Sequence, residues 1–362
     1  MIIFKDMMMK NIGLLFLLTL LILSCSKEEK LQPSYSESDR LAAQLDLSKP
    51  LVKEYKEKYG VNILLNFSDT LDFKFGMWKS STRDLWANFN ISHIAADEAD
   101  ANLALFDELV LQSFKDEITT PAKLGAKTYT STFKRDYFPH KLLLADTVTT
   151  DGNKNSPDLI LAEAEVMAVS EDTWYALYNG YEQLFAVSKP QYDRLSTTNK
   201  SNVRKRMLFG FLVNMIHENN LYNAIPGEFY EPAVSLYNTD INALAVAEKA
   251  PTHPSDTSVI NAQWYIDKGM VLSKRSPSVT SSSFAYRLNK GSSLYFPSKM
   301  VDVRNFLNVI ICESATNSTG PIRGYYLKSP LFKKRMKIMI ETLYSWGIDV
   351  FQINPVMEEF YN

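Results

Sequence analysis

Cysteine is almost missing from this chain of 362 residues: only Cys25 and Cys312 occur. Cys25 closes an apolar leader, which leaves Cys312 without an intrachain partner, and no Cys-x-x-Cys pair exists for redox or metal chemistry. Histidine is equally sparse, at four residues, so a metal centre must draw on His93, His140, His217 or His253 together with carboxylates. The 13 glycines form neither a phosphate-cradling loop nor a G-x-S-x-G elbow, which removes those routes to catalysis. Positive charge is not in excess, since 39 Lys and Arg face 41 Asp and Glu, and basic residues do not alternate with aromatics. Nucleic acid is therefore not an expected partner. No internal repeat or low-complexity tract is present beyond short Ser and Thr clusters.

What the chain does have is enough apolar material, 46% of residues, to bury a core of one large domain or two intimate ones. Its first residues, "MIIFKDMMMKNIGLLFLLTLLILSCSKEEK", place Lys5 and Lys10 before an apolar run from Ile12 to Leu23. The run is short for a bilayer span and ends in a small residue and a cysteine, the pattern of an export signal. Ile22, Leu23, Ser24 and Cys25 resemble the lipobox of bacterial lipoproteins, in which the cysteine is acylated and becomes the first mature residue. Several acyl chains there would anchor the protein stably, because each buried methylene contributes about 0.8 kcal/mol. Ser26, Lys27, Glu28 and Glu29 resemble the acidic tag of lipoproteins displayed on the outer face of an outer membrane. The expected division is a signal peptide over 1–24, a lipid-anchored flexible tether over 25–37 that contains Pro33, and a folded domain over 38–362.

Within that domain, "SESDRLAAQLDL" and "KPLVKEYKEKYG" predict helices, with Pro50 in a first turn and Gly60 as a stop. "VNILLNF" predicts a strand, and "DEADANLALFDELVLQSFKDEI" an amphipathic helix with acidic first turns. The runs "HKLLLADTV", "DLILAEAEVMAV" and "GYEQLFAVSK" predict strands separated by turns. "NKSNVRKRMLFGFLVNMIHENN" predicts a long helix with Phe209, Leu212, Val213 and Ile216 as its apolar stripe. An irregular region from about 232 to 298 follows. Two further helices come after it, "SKMVDVRNFLNVIICES" and "SPLFKKRMKIMIETLYSWG", the second closed by Gly347.

The stretch "MIHENNLYNAIPGEF" begins as a zinc-hydrolase motif and then breaks off. His217 and Glu218 stand where a His-Glu-x-x-His helix places its first ligand and its general base, but the second ligand position holds Leu221. Catalytic zinc needs three protein ligands and an open position, where it lowers the pKa of bound water from about 15.7 to about 7. Leucine cannot donate to the ion, and without it Glu218 is only a carboxylate at a helix end. His93 and His140 belong to distant elements with surface or capping roles, and His253 sits in the irregular region. Glu228 and Glu231 are read as positioning the chain after the helix, and Asp97 and Glu98 as a solvated helix face. The aromatic cluster "TWYALYNGYEQLF" suits either strand packing or a peptide or glycan groove.

The order and spacing of "YKEKYGVNILLNF", the "NMIHE" helix, "PGEF", "GMVLS" and "LYSWGIDVFQIN" resemble the zinc-binding metallopeptidase lipoproteins, also described as substrate import-associated zinc metallohydrolase lipoproteins. The resemblance implies an α+β, zincin-like metallopeptidase fold: a mixed β-sheet, a long motif-bearing helix and a C-terminal helical part. It implies zinc as cofactor, and as partners the outer membrane, a TonB-dependent transporter and that transporter's substrate-binding lipoprotein. Carried onto this chain, His217 is the remnant first ligand, Glu218 the general base and Leu221 the lost second ligand. The third-ligand segment falls on "VDVRN", placing Val301 or Asn305 where a glutamate is expected, with Asp302 as a shorter substitute.

The resulting expectation is a lipid-anchored, surface-exposed accessory or binding component of a nutrient importer, inactive through loss of zinc ligands, with a peptide or glycan as its ligand. Two alternatives stand beside it: an active zinc metallohydrolase using His217, Glu218 and a substitute ligand, and a structural docking lipoprotein of the transporter.

Overall fold

Four consecutive apolar residues, Leu142, Leu143, Leu144 and Ala145, leave no polar face, and a strand of that kind must be covered on both sides. In the computed structural model all four are fully buried, in the middle of a seven-stranded mixed sheet. The structure describes residues 37–73, 89–150, 168–170, 173–174, 176–179, 182–272, 288–289, 294–313 and 321–362. The leader, Cys25, the tether up to residue 36 and most of "DLILAEAEVMAV" lie outside the described residues.

The chain divides into two units, and a helix over Glu37–Gln44 is the described part of the first, which covers residues 1–44. The second unit begins at Leu45. Its first helix, α1 (Pro50–Tyr59), starts with proline in the first turn and stops at Gly60, whose φ of 73° closes the helix, as the sequence predicts. Val52, Tyr55 and Tyr59 form its buried side. Strand β1 (Asn62–Leu64) follows, then β2 (Phe89–His93) and helix α2 (Ala99–Leu109). This helix is shorter than its apolar pattern predicts. At Val110 the backbone leaves helical values, and the chain continues as a 3-10 turn over Leu111–Ser113 and a short strand, Glu117–Thr119. The break turns Leu111 and Phe114 into the core, so tertiary burial overrides the local period.

The central strand β3 (Lys141–Thr150) is flanked along its first half by β1 and along its second half by β2; β4 (Ala168–Ser170), β5 (Thr173–Trp174), β6 (Ala176–Asn179) and β7 (Glu182–Ala186) complete the sheet. The order is β4-β5-β3-β7-β6, with β3 parallel to β1 and β7 and antiparallel to β2 and β5. The fold class is thus α+β.

Helix α3 (Thr197–Glu218) is started by Ser196, whose Oγ accepts the Asn199 N–H at 3.3 Å. The predicted stripe of Phe209, Leu212, Val213 and Ile216 is buried, but so is every residue from Met207 to Ile216. The second half of α3 therefore runs through the core. Phe211 ties it to the sheet through Phe185 of β7, with ring centroids 5.7 Å apart, and Phe185 in turn meets Phe106 of α2 at 4.8 Å. At least this part of the aromatic cluster packs the interior and lines no groove.

The region expected to be irregular contains a helix over Ile241–Ala247, capped by Asp240, and a small sheet of Thr252–His253, Asp256–Ile260 and Leu288–Asn289. Two long helices complete the unit: α4 (Lys299–Cys312), which packs along α3, and α5 (Pro330–Ser345), followed by Gly347 at φ 82°. Among the described residues no helix is long and apolar enough to cross a membrane.

Candidate functional site

A His-Glu-x-x-His site needs its helix to continue for a full turn past the first histidine, because the second imidazole reaches the same ion from one turn further on. In this chain α3 ends too early. Glu218 is its last residue, Asn219 caps it, and Asn220 takes the left-handed conformation at φ 54°. Asparagine is one of the few residues that adopts this conformation readily, so "NN" acts as a stop signal. Asn219 fixes the end further: its Nδ2 donates to the Met215 carbonyl at 2.9 Å and to the Tyr137 carbonyl at 3.3 Å.

Leu221 therefore lies off the helix, in a 3-10 turn over Leu221–Asn223, and is buried. It is a core residue, and it has neither the chemistry nor the position of a second metal ligand. The apolar period of the sequence extended the helix to Asn220.

His217 and Glu218 are both half-buried and turn toward one another, with Nδ1 3.3 Å from Oε1. The two residues expected as first ligand and base thus lie together at the helix end. The segment expected to carry a third ligand lies near as well, since α4 packs against both α3 and the Leu221–Asn223 turn. Its residues do not complete a metal site. Val301 is apolar and half-buried in the first turn of α4, where its N–H is taken by Ser298, and Asn305 is buried and neutral.

Asp302 is fully buried and paired with an equally buried Arg335 from α5. The same carboxylate oxygen accepts the Tyr237 hydroxyl at 2.7 Å. Arg335 is held in turn by the carbonyls of Phe229 at 2.8 Å and Gly269 at 2.6 Å, and its guanidinium lies 4.3 Å from the Phe229 ring centroid. Burial pushes the Asp302 carboxyl upward, while Arg335 and Tyr237 oppose that shift. Asp302 is thus committed to a core ion pair, a role invisible in the sequence because its partner lies on another helix.

A lysine from α4 faces the turn that carries Leu221. Lys299 Nζ donates to Asn223 Oδ1 at 3.0 Å and sits 4.2 Å from the Tyr230 ring centroid and 5.7 Å from that of Tyr222. The resemblance implies a carboxylate in this neighbourhood, whereas the structure places a caged cation there. Tyr222 and Tyr230 follow the broken motif at a spacing that gave no sequence signal for the cage.

The other histidines are dispersed. His93 Nε2 lies 3.0 Å from Asp69 Oδ1, the exposed His140 stacks its hydrogen bonds on Asn62, and His253 Nδ1 accepts the Ser255 N–H. Glu228 and Glu231 are exposed on the short helical turns after α3. Asp97 and Glu98 stand just ahead of α2, not within it. Among the described residues no group of three or more His, Cys, Asp or Glu stands where it could share an ion. The residues at the end of α3 do not fit the three-ligand set that zinc catalysis requires. Comparison of the chain with protein-family models, curated protein sequences and solved structures returned no match.

Proposed function

We propose that the chain is a lipid-anchored, metallopeptidase-related protein that has given up catalysis. It serves as an accessory or binding component of an outer-membrane nutrient importer, beside a TonB-dependent transporter and its substrate-binding lipoprotein, and grips a peptide or glycan. A zincin-like fold is part of this reading: the motif-bearing helix α3 packs against a mixed sheet, and α4 runs along it as the bearer of the third-ligand segment.

The observation that carries the loss of catalysis is the end of α3. His217 and Glu218 are retained side by side, while Leu221 is buried in a turn off the helix and Asp302 belongs to Arg335. Without a bound ion, Glu218 would have to deprotonate nearly unperturbed water.

The test is the metal content of the full chain purified in mild detergent without chelator, then challenged with zinc. The expected result is trace zinc, no uptake that depends on His217, and no gain in Leu221→His, because position 221 does not follow His217 on one helix. One equivalent of zinc that disappears in His217→Ala would reinstate the active hydrolase. Co-purification of a TonB-dependent transporter with the chain checks the partner half of the proposal.

A further inference from the structure

We draw no further inference here: the strongest candidate, the side-chain cluster at the start of α4 in which Tyr222 and Tyr230 cage the Lys299 ammonium, belongs to the site already described and is satisfied within the protein by Asn223.

Discussion

Arg335 and Asp302 are both withdrawn from water, so each is tolerated only in the presence of the other. Asp302→Asn leaves a guanidinium buried among Phe229, Phe306 and main-chain carbonyls without its counter-charge. A loss of about 3–5 kcal/mol is expected in urea unfolding, and the pair replacement Asp302→Leu with Arg335→Met should recover most of it. A second residue sets acid sensitivity. Burial pushes Asp116 upward, but hydrogen bonds from Lys134, Lys58 and Tyr59 outweigh it and hold the carboxyl down to about 2. An unfolded aspartate titrates near about 3.9, so this stabilisation is complete above about pH 4 and is lost as the pH falls toward 2. Unfolding midpoints measured across that window should drop in the wild type and drop less steeply in Asp116→Asn. At this scale the pairing of His217 with Glu218 and the apolar character of Leu221 were legible, because they are local spelling. The capture of Asp302 and the Lys299 cage were hidden, because both depend on side chains from distant segments.

Helix stops were legible where glycine made them and illegible where asparagine or packing did. Gly60 and Gly347 were readable as the ends of α1 and α5, and both adopt positive φ. Their surroundings differ in a way that only the structure shows. A Cβ on Gly60 meets nothing, whereas one on Gly347 would lie 2.1 Å from the Lys115 carbonyl oxygen, in the segment where Phe114 bridges to Ile348. Gly60→Ala should cost about 1–2 kcal/mol, the strain of a left-handed residue. Gly347→Ala should cost several times more, because backbone must move, and equal losses in chemical denaturation would refute the close approach. The early ends of α2 at Leu109 and of α3 at Glu218 were not legible. In the first, burial of Leu111 and Phe114 outweighs the local period, and in the second Asn219 and Asn220 satisfy the terminal carbonyls.

For the molecule as a whole, the leader predicts where the chain resides. In a bacterium that processes lipoproteins, the full chain should enter the detergent phase on Triton X-114 separation, and Cys25→Ser should move it to the aqueous phase. Recovery of the wild type from the aqueous phase would defeat the anchor. The strands were foreseeable from their apolar runs, but their order and mixed sense were not, since strand pairing is a long-range choice that no window of sequence contains.

That order also has a bearing on time. The central strand pairs through Lys141 with Asn62 on one edge and Glu182 on the other, both parallel, so neither neighbour can reach it by a simple hairpin. Its four buried apolar residues stay uncovered until the chain through Ala186 has been synthesised, which makes late, slow closure of the sheet a property of the topology. Were the chain exported as proposed, such a delay would keep the polypeptide threadable until translocation is done.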